Sequence, residues 1–270
     1  MPAALNPAPS TLRLSALLTS LSGDYMTAVH RLAALGFRCV DIVGLVDRPI
    51  EHAEALAASG LIVACASIGR ALPEGQTLDA ESLDARRAAV EMTRLHITDA
   101  ARLGATTCYV VPGKDESAAG LARFAESCAL LADFAARRML TLCVEHIPGF
   151  ALARADDTLA WIRACGHANL RLLLDVGHCL ITGEDPLASV VLAGPLLGYV
   201  HFDDNDGKDD LHWPLLRGRL TESIIHNVLT ACRNADCFGM ALELRPDYGD
   251  PEANLRQGKE LLERLYLTPE

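Results

Sequence analysis

Three acidic residues and one histidine each come at or near the end of a short apolar segment in the second half of the chain. Glu145 ends LTLCVE, Asp175 ends LRLLLD, His201 lies in LGYVHF and Glu243 ends MALE. Carboxylate oxygens and an imidazole nitrogen are common donors to a divalent cation. Three buried carboxylates without a cation would suffer desolvation and mutual repulsion. The four residues are therefore candidate metal ligands, and such a site is typical of a metal-dependent enzyme.

This donor set favours a hard cation. One imidazole among three carboxylates suits Mn²⁺, Mg²⁺ or Co²⁺ better than a closed structural Zn²⁺ site, which prefers thiolate and imidazole. Catalytic Zn²⁺ remains an alternative. We expect one divalent ion, with Mn²⁺ first among the four.

The strands and helices that must position these residues can also be predicted from the sequence. Short apolar runs alternate with helical patterns, and the runs lie near residues 12–18, 38–44, 61–66, 106–111, 140–145, 170–175, 198–203 and 239–244. Near-continuous apolarity is typical of parallel strands that helices cover on both faces. Eight strand–helix units in about 260 residues predict an α/β fold, a single (β/α)8 TIM barrel. Because all strands of a barrel end at one face, candidate ligands on strands 5 to 8 are expected to converge.

Helix signals support the repeated unit. They predict a helix from Asp24 to Gly36, one over about 80–103 that stops at Gly104, and one from Asp156 to Gly166. A doubly wound sheet is the main alternative, but no glycine-rich phosphate turn follows the first strand. Residues 1–10 are predicted to be a disordered N-terminal tail, and 11–270 one barrel domain, because no linker divides the chain.

Composition and charge narrow the class of partner. The net charge of −11 disfavours DNA, RNA and anionic lipid, which bind basic surfaces. Nine cysteines form no CxxC pair, which is typical of free thiols in a reducing cytoplasm. No apolar run approaches the ~18 residues that suggest a membrane span. We expect a cytoplasmic protein that binds a small molecule, and neither nucleic acid nor membrane.

The second half of the chain resembles the xylose isomerase-like barrel superfamily, and within it the sugar phosphate isomerase/epimerase group. The resemblance is carried by VEHIPG, LLLDVGH, the block VHFDDNDGKDDLHWPLLRGRL and LEL. This group includes ketose 3-epimerases, inosose dehydratases and endonuclease IV. The first half of the chain matches in architecture only.

The resemblance implies a mechanism. The four candidate ligands fall where the epimerases hold one divalent ion, and Glu145 and Glu243 also fall where those enzymes place an acid–base pair. One glutamate would remove a carbon-bound proton from a keto-sugar or related polyol, and the other would return it, through a metal-stabilised cis-enediolate. The implied activity is a metal-dependent sugar isomerase or epimerase. If the intermediate expels a β-hydroxyl instead, the enzyme is a dehydratase, a lyase of an inosose or dehydroshikimate.

Three residues near the ligands are candidates for substrate binding. His178 resembles a histidine that contacts substrate oxygens in the epimerases. Asp210 and His212 resemble an Asp-x-His pair that binds an additional zinc in endonuclease IV. That enzyme also needs histidines after strands 3 and 4, where CASIG and VVPG carry none. An endonuclease IV-like phosphodiesterase is therefore a remote alternative. Apart from Asp203 and Asp210, most of the acidic loop 203–210 is expected to be a solvated charge run.

Four further candidates for substrate contact rest on position alone. Lys114 follows strand 4 and Arg245 follows strand 8, with exposed loop cations as the alternative. Arg217 follows strand 7, with a salt bridge to a nearby aspartate as its alternative. Trp213 is expected either to cover the sugar or to join a subunit contact, and a homodimer or homotetramer is open.

The aspartates after strand 7 favour a neutral keto-sugar or cyclitol over a phosphorylated one. A non-catalytic barrel that binds a sugar or a metal also remains open, because a fold alone does not imply turnover.

Overall fold

Within residues 12–268, which the computed structural model describes, eight parallel strands form the centre of the molecule. They are β1 (Arg13–Ala16), β2 (Cys39–Val43), β3 (Ile62–Ser67), β4 (Thr107–Val110), β5 (Thr141–Glu145), β6 (Leu170–Asp175), β7 (Leu197–Phe202) and β8 (Gly239–Leu242). Their order is β1-β8-β7-β6-β5-β4-β3-β2. A parallel bridge between Leu17 and Asp41 joins the two edges. The sheet is a nearly closed barrel, and the predicted (β/α)8 TIM barrel is confirmed.

Helices surround this barrel. They are α1 (Tyr25–Ala34), α2 (Ile50–Ser59), α3 (Leu83–Arg102), α4 (Ala118–Ala136), α5 (Ala155–Cys165), α6 (Val176–Thr182), α7 (Pro186–Ala193), α8 (Glu222–Asn234) and α9 (Pro251–Leu267). In α8, a fully buried stripe at helical spacing faces the core, formed by Ile225, Val228, Leu229 and Cys232. This burial, more than helix propensity, stabilises such a helix in the fold.

Helix starts show what local sequence can and cannot reveal. The Asp24 carboxylate accepts a hydrogen bond from the Thr27 N–H at 3.0 Å, as an N-cap should. The predicted start at Asp156 is wrong, since α5 begins at Ala155. The N–H groups of Ala155 and Asp156 each donate to the Glu184 carboxylate at 3.1 Å. A residue far along the chain therefore caps this helix.

Two further predictions concern the N-terminal tail and the presence of membrane-spanning helices. The predicted tail, residues 1–10, lies outside the described residues. Within the described part, no single helix is long and apolar enough to cross a membrane. Helix α6 and the segment Pro186–Leu196 reach that length and apolarity only when they are taken together, and their axes are bent by 115°.

Candidate metal centre

Four side chains converge at the carboxyl ends of β5 to β8. Glu145 and Asp175 end their strands, His201 is the penultimate residue of β7, and Glu243 directly follows β8. One oxygen or nitrogen atom of each lies within 4.8 Å of the corresponding atoms of the others. Parallel pairing places Asp175 beside His201 and His201 beside Ala241, so the strand register itself brings these positions together.

The Nδ1 atom of His201 lies among three carboxylates. It is 2.5 Å from Glu243 Oε2, 3.4 Å from Glu145 Oε1 and 3.9 Å from Asp175 Oδ2. His201 Nδ1, Asp175 Oδ2 and Glu243 Oε2 are nevertheless buried without a hydrogen bond of acceptable geometry. Buried polar atoms rarely stay unsatisfied. Unsatisfied oxygen and nitrogen donors around one point fit a divalent cation.

Charge crowding appears in the acidities of this cluster. Burial and the neighbouring Asp203 carboxylate raise the pKa of Asp175 to about 8. Burial alone would lower the pKa of His201, but Glu243 and Glu145 outweigh it and raise that pKa well above its usual value. For the carboxyl group of Glu243, burial alone would raise the pKa, but the nearby His201 lowers it to about 2. Protons here supply positive charge that a bound cation would replace.

Asp175 has different partners for its two oxygens. Oδ1 accepts from the His178 N–H at 2.8 Å and so caps α6, while Oδ2 faces the cluster. The Asp175 N–H donates to His146 Nε2 at 3.2 Å. Burial, with His178 nearby, lowers the pKa of His146 to about 3, which keeps this imidazole a neutral acceptor. His146 therefore fixes the backbone that carries a candidate ligand.

A second polar cluster adjoins the first and unites three predicted substrate-binding residues, His178, Asp210 and His212. Asp210 Oδ1 lies 3.6 Å from His178 Nε2 and 3.2 Å from His212 Nε2. His178 Nδ1 donates to the backbone oxygen of His146 at 2.7 Å, and His212 Nδ1 contacts Asp203 Oδ2. The spacing of this cluster could also hold an ion.

The acidities of this cluster show the same opposition between burial and charge as those of the first cluster. Burial opposes a charged imidazole, but Asp175 and Asp210 raise the pKa of His178 to about 10. Asp203 and Asp210 likewise raise the pKa of His212 to about 12 against burial. The two histidines overcome burial and hold the pKa of Asp210 well below its usual range. Protonated imidazoles and carboxylates thus already balance one another here.

Buried acids organise the loop between β7 and α8. The Asp204 carboxylate accepts from the N–H groups of Gly218, Arg219 and Leu220 at 2.7 to 3.0 Å. Asp204 is fully buried, so the expectation of a solvated charge run is wrong there, although Lys208 and Asp209 are exposed. The side chain meets loop donors that lie more than ten positions away, which its local sequence does not reveal.

A glycine permits the close approach of this loop to α6. A Cβ at Gly177 would lie 1.6 Å from Asp203 Oδ1 and 2.5 Å from Asn205 Nδ2. The glycine of the LLLDVGH motif therefore leaves the space that Asp203 occupies beside His212. Asn205 accepts from the His212 N–H at 3.1 Å and fixes the backbone on the other side.

Four predicted substrate contacts have other neighbours. The Arg217 guanidinium lies 5.5 Å from the Trp213 ring and 5.0 Å from the Tyr248 ring, a cation–π arrangement in place of the considered salt bridge. Lys114 Nζ lies 5.4 Å from the Phe150 ring. The Arg245 side chain is exposed, and the Arg245 backbone N–H donates to the His212 carbonyl at 3.0 Å.

A cavity of about 590 Å³ opens beside Glu243, over the ends of β1 to β3. Its wall is largely apolar and includes Leu17, Leu18, Leu21, Tyr25, Val43 and Leu45. Arg70, Ser67 and Tyr109 line it as well. Arg70 Nε donates to Ser67 Oγ at 3.0 Å, and Arg70 Nη2 lies 4.0 Å from Glu145 Oε2.

Sequence reasoning missed Arg70. The available signal was its place just after β3, because residues there face the same end of the barrel as the candidate metal ligands.

Comparison with known proteins agrees with this architecture. The family described as xylose isomerase-like TIM barrel matches residues 29–265. Among curated proteins, D-psicose 3-epimerase of Agrobacterium fabrum (strain C58) is 30% identical over 105 residues, 36% of this chain and 36% of that protein. The match thus spans only about a third of that relative's length.

Solved structures share the fold over nearly the whole chain. An L-ribulose 3-epimerase aligns with a TM-score of 0.82 and 21% identity, covering 95% of each chain. A D-allulose 3-epimerase from Methylomonas sp. in complex with D-allulose aligns with a TM-score of 0.80 and 19% identity, covering 96% of this chain and 98% of that one. At such identities the likeness concerns the fold alone. Because the family match covers most of its length, the chain belongs to the xylose isomerase-like TIM barrel family.

Proposed function

We propose that this protein is a sugar isomerase or epimerase that acts on a keto-sugar or related polyol with one divalent metal ion. The observation that carries this function is the convergence of three carboxylates and one imidazole, with unsatisfied buried atoms, at the carboxyl end of the barrel. The curated relative and both structural neighbours are named as ketose 3-epimerases, which supports this reaction class.

Glu145, Asp175, His201 and Glu243 are the residues that would hold the ion. When bound, the ion would polarise the substrate carbonyl and lower the barrier to loss of the neighbouring carbon-bound proton. We assign the single ion to this cluster because three carboxylates and one imidazole suit a hard divalent cation, whereas the second cluster offers one carboxylate and two imidazoles. Mn²⁺ remains our first expectation for this donor set.

Glu145 and Glu243 carry the proton transfers in this proposal. Glu145 ends β5 and Glu243 directly follows β8, the outer two of the four ligand-bearing strands, and the proposal places their carboxylates on different sides of the substrate. One carboxylate removes the proton and leaves an enediolate, and the other returns a proton. Return to the opposite face gives an epimer, whereas return to the neighbouring carbon gives an isomer.

The surrounding residues would bind and orient the sugar. The cavity beside Glu243 can receive the part of the substrate distant from the reacting carbon, where its apolar wall excludes water. Arg70, at its edge, can donate to a substrate oxygen. His178, Asp210 and His212 would offer further charged donors and acceptors to the substrate.

Solvent exchange tests the reaction directly. Metal-loaded protein incubated with ketoses and inososes in D₂O is expected to place deuterium on carbon in a rearranged sugar. Glu145→Gln and Glu243→Gln should each abolish this incorporation, whereas Glu222→Gln, which changes an exposed glutamate paired with Arg264, should not. Loss of water from the substrate would instead identify a lyase, and a protein that binds sugar without exchange would contradict the proposal.

We also propose a cytoplasmic location and a small sugar or polyol, without nucleic acid or membrane, as the partner. All nine cysteines of the chain are free in the described structure, which supports a reducing compartment. The net charge of −11 supports the exclusion of nucleic acid. A homodimer or homotetramer is the proposed assembly, and sedimentation velocity measures it.

A further inference from the structure

A buried carboxylate lies inside the barrel, behind the candidate metal centre. Asp41, in β2, is 2% exposed, and none of the proton transfers above uses it. Its Oδ1 accepts hydrogen bonds from Ser15 Oγ at 2.7 Å and from the Tyr199 hydroxyl at 2.9 Å. Ser15 and Tyr199 are themselves buried, in β1 and β7. A carboxylate in a barrel core is costly, so it calls for a compensating partner.

The second oxygen of Asp41 faces His201. Asp41 Oδ2 and His201 Nε2 are 3.9 Å apart, and neither atom forms a hydrogen bond with another described residue. The other ring nitrogen of His201, Nδ1, faces Glu145, Asp175 and Glu243. The imidazole therefore lies between the candidate ion position on one side and a single buried carboxylate on the other.

We propose that Asp41 is a positioning residue, which keeps the proton of neutral His201 on Nε2 and leaves the Nδ1 lone pair for the cation. This role rests on the proposed function, because it requires that His201 binds an ion. A neutral imidazole carries one proton, and the nitrogen that holds it cannot bind a metal. An ionised carboxylate only accepts, so it favours the tautomer with the proton directed at it.

Ser15 and Tyr199 complete the arrangement. Both donate to Oδ1, which holds the carboxylate with Oδ2 toward the imidazole. A movement of roughly 1 Å would bring Oδ2 and Nε2 from their present separation to hydrogen-bond distance. Residues of β1, β2 and β7 thus together orient His201, a candidate ligand in β7.

Asp41→Asn tests this role. The carboxamide has nearly the same size, and its oxygen can still accept from Ser15 and Tyr199. Its NH₂ group would then face Nε2 and favour the proton on Nδ1, where it blocks the cation. We expect Mn²⁺ and Co²⁺ to bind about 10–100-fold more weakly by calorimetric titration.

Two further variants separate positioning from simple loss of charge. Ser15→Ala and Tyr199→Phe keep the Asp41 charge but release its Oδ1, so each should also weaken Mn²⁺ binding, by less than Asp41→Asn. A purely electrostatic role for Asp41 predicts no change in either. In wild-type protein saturated with Zn²⁺, the Nε2 proton of His201 should resonate far downfield and exchange slowly in NMR spectra. Asp41→Asn should remove both properties.

The outcomes separate this role from the proposed function. Wild-type affinity for Mn²⁺ in folded Asp41→Asn would overturn the positioning role and leave the proposed function intact. A wild-type protein that binds no divalent cation would overturn the proposed function itself. Thermal unfolding in EDTA checks that each variant is folded. If Asp41→Asn does not fold, the Mn²⁺ affinity of Ser15→Ala and the NMR signal of the His201 Nε2 proton in the wild type test the positioning role instead.

Discussion

At the residue scale, protons and metal ions compete for the same positions. Asp175 lies among other carboxylates, and burial with Asp203 raises its pKa to about 8. The His201 pKa is raised as well, since Glu243 and Glu145 outweigh burial. Without a cation, Asp175 and His201 therefore favour their protonated forms near neutral pH. Its histidine and aspartate must release protons before they can serve as ligands.

Metal binding should consequently strengthen as pH rises. Below the raised pKa of about 8, Asp175 holds a proton that the ion must displace. We expect Kd for Mn²⁺ to fall by about tenfold per pH unit for each proton displaced, between roughly pH 6 and 8. Calorimetry in buffers of different ionisation enthalpy measures both affinity and proton release. A constant Kd with no released proton would contradict the assignment of these ligands.

Arg70 should contribute to substrate binding and not to metal binding. It lines the cavity, its side chain is 44% exposed, and its contact with Glu145 is long at 4.0 Å. Arg70→Ala should raise KM for the ketose about tenfold, in line with a lost charged hydrogen bond. Mn²⁺ affinity should change little, and Arg70→Lys should retain part of the substrate affinity. Unchanged KM in Arg70→Ala would exclude this role.

At the scale of elements, the sequence indicates clearly where the strands end. It indicates less clearly which residues orient the side chains at those strand ends. Glu145 and Asp175 were identifiable because each closes an apolar run of a buried parallel strand. Asp41 was not, because it lies within such a run and its partners Ser15 and Tyr199 are distant in sequence. The interior of a barrel joins residues that no local pattern connects.

The start of helix α5 also depends on a residue that is distant in sequence, and the stability this residue contributes can be measured. Its first two N–H groups donate to Glu184, which also accepts from Thr182 Oγ1 at 2.6 Å. Glu184→Ala should lower the free energy of unfolding by about 1–2 kcal/mol, the usual cost of losing a helix cap. Chemical denaturation measures this loss, and Mn²⁺ affinity should match wild type. Unchanged stability would show that water replaces the cap.

At the scale of the whole molecule, the two halves of the barrel have different tasks in the proposed enzyme. Strands β5 to β8 carry the four candidate ligands, whereas β1 to β3 and their loops supply Asp41, Arg70 and the cavity wall. The fold and the convergence of the four candidate ligands were predictable because alternating elements and strand-end acids leave strong patterns. The cavity was not, since its apolar wall consists of residues that resemble ordinary core residues.

The most direct measurement is the number of divalent ions bound per chain after reconstitution with Mn²⁺ and dialysis. The account predicts one ion per chain in the wild type. It predicts near-complete loss in Glu145→Ala, Asp175→Ala, His201→Ala and Glu243→Ala. The control variant Lys114→Ala, which removes a cation packed on the Phe150 ring, should retain the ion. A folded wild-type protein that takes up no ion, or ligand variants that keep it, would contradict the central claim.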